Sequence, residues 1–203
     1  MTELQRTDEW FSSRIGKVTS SRISDVMSKT KTGYSATRKN YMTELLLERL
    51  TGQKAESYSN SAMLWGIEKE PVAKSAYESH TFNIITEVGF INAPDVSMSG
   101  ASPDGLLGTD GCIEIKCPNT STHLETLLTK EIDRKYILQM HWQMYCADRK
   151  YCHFVSFDDR LPVNLQLFIK PVFRDENLID EIKAEVIKFL QELDELEAEV
   201  RAL

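Results

Sequence analysis

The chain has 203 residues, 24 basic against 31 acidic side chains, a formal net charge of −7 and 41% hydrophobic residues. That length and apolar content suffice to bury a core without disulfide or metal staples, which excludes disorder as the main state and predicts one globular domain. No apolar run approaches the roughly 20 residues of a membrane helix, residues 1–16 lack the apolar centre of a signal peptide, and four scattered cysteines (112, 117, 146, 152) fit free thiols, so a cytoplasmic protein with no membrane partner is expected.

The charge is unevenly placed. Residues 1–54 carry ten basic and six acidic side chains, whereas residues 175–203 carry three basic and ten acidic, a net of −7 that equals the whole chain's. The single domain is read as a basic N-terminal helical region (1–54), a core (55–174) and an acidic C-terminal helix (175–203).

In chain order, Asp8 to Ser13 reads as a short helix, and Thr19-Ser20-Ser21 as an N-cap cluster before Ile23, Val26 and Met27 at helical spacing. The stretch Lys29 to Asn40 carries Gly33 and several cations with little apolar content, which predicts a mobile loop. Tyr41, Met42, Leu45, Leu46 and Leu50 mark an amphipathic helix that stops at Gly52. Ser59 to His80 reads as a second helix with a kink or restart around Glu70, because Pro71 removes a backbone donor. From Phe82 the texture becomes β-rich: Phe82 to Ile91, Met98 to Leu107 and Cys112 to Cys117, three successive strands that suggest a meander. A helix from about Lys130 to Ala147, strands at Tyr151 to Phe157 and Asn164 to Phe173, and a helix from Glu176 to Arg201 complete the chain. The mixture predicts an α/β fold with a mixed central β-sheet flanked by α-helices.

Ser102-Pro103-Asp104-Gly105 and Cys112-Ile113-Glu114-Ile115-Lys116-Cys117-Pro118 carry the chemistry. Glu114 and Lys116 are two apart in a strand, so both project to one face while Ile113 and Ile115 take the other. Asp104 ends the preceding strand, and a hairpin closed by Gly108 to Gly111 brings it beside Glu114. Two convergent carboxylates and the Ile115 backbone carbonyl offer oxygen ligands suited to Mg²⁺, for which Mn²⁺ can substitute. This is the Asp, then Glu-x-Lys arrangement of metal-dependent nucleases, in which Lys116 orients or helps deprotonate the attacking water. On spacing alone a surface hairpin with a Glu–Lys pair remains the alternative.

Trp10 with Arg14 and Gly16, Val18-Thr19-Ser20-Ser21, Trp65-Gly66 followed by Glu70, Ser102-Pro103-Asp104-Gly105, Glu114 to Pro118 and Gln139 occur in an order that resembles lambda exonuclease and its YqaJ-like viral recombinase relatives, over about residues 8 to 158. The resemblance implies a restriction-endonuclease-like core of the PD-(D/E)xK class, probing linear double-stranded DNA for a 5′-phosphate end. The implied activity is processive 5′-to-3′ digestion of one strand, leaving a 3′ overhang for phage-type recombination by strand annealing. Asp104, Glu114 and the Ile115 carbonyl map onto the metal ligands, of two ions, Lys116 onto the catalytic lysine, and Glu70 and Gln139 onto supporting catalytic positions. Arg14, Ser21 and Ser102 map onto the pocket for the 5′ phosphate. The partners implied are a homotrimeric ring and a single-strand annealing protein, inside a bacterial host. His141 stands where a second glutamine is common.

The cations Lys29, Lys31, Arg38 and Lys39 are assigned to the DNA backbone from their charge and the neighbouring Ser20-Ser21. In a ring, residues 1–54 would give a basic inner surface, and the acids of the last helix, Glu192 to Glu199 included, would face away from DNA. The four histidines share no metal-ligand spacing, and the cysteines fit buried thiols better than an iron–sulfur cluster. A structure- or site-specific endonuclease on the same fold is the competing enzyme, and a non-catalytic DNA-end-binding module the competitor from another class.

Overall fold

The computed structural model describes residues 5–55 and 61–203. Helix α1 (Asp8–Arg14) is capped by Thr7, whose side chain accepts from the Trp10 amide. Strand β1 (Val18–Thr19), a 3-10 turn (Ser20–Arg22) and α2 (Ile23–Val26) follow, and Thr19 makes no side-chain cap.

The expected mobile loop is ordered. Lys29–Thr30 (β2) and Gly33–Tyr34 (β3) form a hairpin, with Gly33 at φ 139° in its turn. Ser35 then caps α3 (Ala36–Thr51), so Arg38 and Lys39 are helical, and Gly52 closes α3 in the left-handed conformation. Helix α4 (Ser61–Thr81) runs through Pro71 without a break; residues 59 and 60 of the expected helix lie outside the described residues. Pro71 is on the exposed face, where the carbonyl it leaves without a helical donor is open to water.

The expected strands 82–91 and 98–107 each divide between two sheets. β4 (Ile85–Thr86), β7 (Gly105–Leu107), β8 (Gly111–Lys116), β9 (Tyr151–Phe157) and β10 (Leu167–Phe173) form a sheet of order β10-β9-β8-β7-β4, whereas β5 (Ile91–Asn92) and β6 (Ser99–Ala101) join β1 in a second. The chain leaves one sheet for the other at Ser102-Pro103-Asp104, where proline cannot donate to a ladder. β4, β7 and β8 are antiparallel, as a meander requires, but β8 pairs parallel with β9, and the crossover consists of α5 (Thr120–Thr129) and α6 (Arg134–Cys146). The expected elements omit α5, although Leu124, Leu127 and Leu128 stand at helical spacing within its Thr-rich sequence; Asn119 starts it by accepting from the Thr122 amide.

Helix α7 (Glu176–Arg201) has the expected bounds, with Asp175 accepting from the Asn177 and Leu178 amides. Its Ile182, Val186, Phe189, Leu190 and Leu193 bury one stripe against Val18, Ile23, Tyr41, Leu45 and Trp142, so the N-terminal region, α6 and the C-terminal helix share one core. Each such side chain contributes about 1.5–3 kcal/mol by burial. The acids of α7 correct the expected charge layout. Glu185 accepts from Lys29 Nζ (2.5 Å) and Tyr34 Oη, Glu192 from Arg38 Nη1 (2.6 Å), and Asp194 and Glu197 from Arg49 Nη1. They fold onto the basic region because α3 and α7 are neighbours, and a buried guanidinium such as Arg38 needs a counter-charge.

At the end of β9, Asp158 has a fully buried carboxylate that accepts from Arg160 Nε at 2.7 Å and from its amide at 3.0 Å. Burial works to raise its pKa, but the bonds from Arg160 and Thr120 outweigh that and hold it at about 2. A depressed carboxylate stabilises the fold fully above the unfolded value near 4 and ceases to do so as pH falls through its folded value. We expect Asp158→Asn to be less stable than wild type at pH 5 by on the order of 1–2 kcal/mol, discounted for the partly exposed Arg160, with the gap narrowing between pH 4 and 2; urea titrations across that range check it.

Candidate active site

One open cleft of about 700 Å³ gathers Arg14, Glu70, Ser102, Asp104, Glu114, Ile115, Lys116 and Gln139. The hairpin β7–β8 makes this possible. Gly105 pairs with Ile113, and the Asp104 amide donates to the Ile113 carbonyl at 3.1 Å, which draws the Asp104 side chain to β8, where its Oδ2 accepts from the Ile115 amide at 2.6 Å. Gly105 lets β4 pack closely on the other side of β7: a Cβ there would stand 2.2 Å from the Ile85 side chain.

Glu114 is 2% exposed in the central strand. Its Oε1 accepts from Gln139 Nε2 at 2.7 Å and lies 2.5 Å from Lys116 Nζ, and its Oε2 accepts from Gln143 Nε2 at 2.5 Å. Glu114 and Lys116 do share a face, while Ile113 and Ile115 join Ala73, Tyr77 and Val155 on the other. Gln143 was missed in the sequence. It lies one helical turn after Gln139 on the same side of α6, and that i, i+4 spacing was the available signal. His141 instead turns away, its Nδ1 donating to the Ile137 carbonyl, so the second glutamine of this site is Gln143.

Burial raises the Asp104 pKa well above the usual carboxylate range, and the charges of Glu114 and Glu70 push it further. Burial alone would lower the Lys116 pKa, but Glu114 and Asp104 outweigh it and raise it, so the amine keeps its proton. Glu70, on α4, accepts from Arg6 Nη2 at 2.5 Å through Oε2 and pairs with Lys74 Nζ at 3.1 Å through Oε1.

At the other end of the cleft, α1 stops after Arg14 and the chain turns at Gly16, φ 68°, whose amide donates to the buried Glu48. The Arg14 guanidinium lies 4.0 Å over the Trp10 ring, and Trp10 Nε1 donates to Ser102 Oγ at 3.0 Å, so Trp10 couples two of the residues assigned to a phosphate. Burial lowers the Arg14 pKa against the opposing pull of Tyr41 and Glu48, and among the described residues no carboxylate is hydrogen-bonded to it. Ser21 does not line this cleft. It is exposed in an adjoining cavity of about 270 Å³ that Arg14 also borders, with its Oγ 3.4 Å from Thr19 Oγ1.

The four cations assigned to DNA divide. Arg38, 3% exposed, and Lys29 are both paired with α7 acids, which leaves Arg38 little surface to offer DNA; Lys31 and Lys39 are exposed and have no ion pair among the described residues. The cysteines are free and buried, and two of the histidines serve the fold: His123 bridges Ser156 Oγ and the Leu165 carbonyl, and His153 meets Tyr77 Oη at 2.7 Å.

A mixed sheet whose central strand bears Glu114 and Lys116, with Asp104 laid across it, defines a nuclease of the restriction-endonuclease-like fold. The model of the YqaJ-like viral recombinase domain matches residues 9–150, and the chain belongs to that family. The alkaline exonuclease LHK-Exo from Laribacter hongkongensis is 49% identical, with 97% of each chain covered and a TM-score of 0.91; the same values hold for its complex with dAMP. A phage-related exonuclease from Haemophilus somnus 129PT, 19% identical over 91% of this chain and 96% of its own, shares the fold with a TM-score of 0.75. No curated protein matches the chain. No helix among the described residues is long and apolar enough to cross a membrane.

Proposed function

We propose that the protein is a Mg²⁺-dependent 5′-to-3′ exodeoxyribonuclease that digests one strand of linear duplex DNA, releases 5′-mononucleotides and leaves a 3′ single-stranded overhang. The observation that carries this is the buried Glu114 carboxylate and the half-buried Asp104 carboxylate converging with Lys116 at one end of a cleft whose other end holds Arg14, to which no carboxylate is hydrogen-bonded among the described residues. The dAMP bound to the similar LHK-Exo fits the kind of product proposed.

The donor set suits a divalent cation. Among the described residues no three His, Cys, Asp or Glu side chains form a ready metal cage, so Asp104 and Glu114 require further oxygens, for which the Ile115 carbonyl and the substrate phosphate are candidates. Burial and then the neighbouring Glu114 and Glu70 charges raise the Asp104 pKa, and a cation there would offset both effects. When bound there, Mg²⁺ supplies an acidified water and neutralises charge on the phosphate. The chain's own residues hold the rest: Gln139 and Gln143 fix both oxygens of Glu114, the Lys116 ammonium orients the attacking oxygen, and Glu70 completes the acidic wall. Arg14 and Ser102, with Ser21 from the neighbouring cavity, hold the 5′ phosphate by charge-assisted bonds, which selects an end without reading bases.

The decisive experiment is digestion of linear duplex carrying a 5′ phosphate on one end only, with Mg²⁺ and with chelator. Loss of the phosphorylated strand with Mg²⁺ alone, together with intact covalently closed circles, is the expected result; cleavage of circles would establish an endonuclease instead. Family membership further supports a homotrimeric ring and an annealing-protein partner, which sedimentation and co-purification test.

A further inference from the structure

Arg6 lines the cleft, and the reaction proposed above gives it no task. It precedes α1 with φ 69°, a left-handed conformation that a side chain disfavours. Gln5 holds the chain there, donating from Nε2 to the Val88 carbonyl at 3.0 Å and to the Pro103 carbonyl at 2.7 Å, next to Asp104. The strained backbone delivers the Arg6 side chain into the same cleft as Asp104, Lys116 and Arg14.

Its contact with Glu70 is replaceable. Lys74, anchored also by Glu87 at 3.0 Å, already neutralises the other oxygen of Glu70, and the Lys74 side chain is only 18% exposed. Arg6 is 44% exposed and has Glu70 as its one ion-pair partner among the described residues. An exposed ion pair of this kind contributes little, whereas a guanidinium fork offers a phosphate two parallel bonds.

We propose that Arg6 is a substrate-binding residue whose guanidinium rests on Glu70 in the free protein and transfers to a phosphate of the strand entering the cleft, leaving Glu70 to Lys74. The proposal rests on the nuclease reading above. It is tested by equilibrium binding of a labelled 5′-phosphorylated linear duplex in chelator, at several salt concentrations, with wild type, Arg6→Ala, Arg6→Gly, Arg6→Lys, Glu70→Gln and the Arg6→Ala/Glu70→Gln pair.

Arg6→Ala is expected to bind about 10-fold more weakly, with the slope of log affinity against log salt reduced by about one and the melting temperature unchanged. Arg6→Gly, which relieves the backbone, shows the same loss, and Arg6→Lys keeps the slope while losing part of the affinity. Glu70→Gln releases Arg6 and binds more tightly than wild type, a gain that disappears in the double variant. Wild-type affinity and slope in Arg6→Ala, tighter binding by it, or full affinity in Arg6→Gly overturns the proposal. If the wild type neither binds nor digests linear duplex, the nuclease reading fails; if it digests and Arg6→Ala matches it in binding, only the role of Arg6 does.

Discussion

Lys116→Ala is expected to lower the rate of duplex digestion by about 10²–10⁴-fold while leaving duplex binding in chelator near the wild-type value. Its ammonium lies 2.5 Å from Glu114 Oε1 and 4.9 Å from the centre of the Tyr136 ring, at the point where Asp104 and Glu114 converge. Held against Glu114, the ammonium is placed to give the attacking oxygen a fixed donor and a positive charge. The loss therefore belongs in kcat, since the positive charge matters most as phosphorus becomes pentacoordinate and its oxygens gather negative charge. Gln139 and Gln143 still donate to Glu114 in the variant, and a urea titration checks that it remains folded, so that the loss is one of rate. Digestion at the wild-type rate would remove the mechanism proposed for this site.

Gln143→Leu should produce the second large effect, and on two scales. The substitution keeps the volume but leaves Glu114 Oε2 without its donor inside a core strand, which costs about 1–3 kcal/mol of stability. Gln143 is 0% exposed and its Oε1 has no partner among the described residues, so the side chain gives up little besides that bond. Activity is expected to fall about 10–100-fold, with half-maximal rate reached only at higher Mg²⁺, because the carboxylate that Gln143 and Gln139 hold from both sides can then rotate. A shift in melting temperature with an unchanged Mg²⁺ dependence of the folded enzyme would make Gln143 a structural residue only.

The legible and illegible parts of this chain separate by range of interaction. Alternation in Cys112 to Cys117, the Gly108 to Gly111 turn and the Pro-Gly bend around Asp104 are local patterns, and they were enough to predict that Asp104 meets Glu114 beside Lys116. The stripe of α7 was equally plain, since a 3.6-residue period over seven turns leaves one face to bury. Short strands were not: two-residue β4 and β5 owe their existence to partners Leu106–Leu107 and Gly100–Ala101, which no window around residues 85 or 91 contains.

Charge was the least legible property. A count over residues 1–54 cannot show that Lys29, Arg38 and Arg49 are matched one by one with Glu185, Glu192 and Asp194 about 150 positions away. Likewise, the resemblance places Arg14, Ser21 and Ser102 in one pocket, whereas Trp10 links Arg14 and Ser102 in the main cleft and Ser21 lines the adjoining cavity.

By itself, then, the sequence determined the mixed α/β fold, the Asp104–Glu114–Lys116 centre and the family, because these follow from side-chain alternation, turn chemistry and motif order along contiguous residues. Only the tertiary structure decided that Gln143 joins Gln139 in holding Glu114, that Arg6 and Lys74 share Glu70, and that acids of α7 pair with N-terminal cations. Those outcomes depend on which helix faces meet and on the need of buried charges for partners, and a linear count of residues records neither.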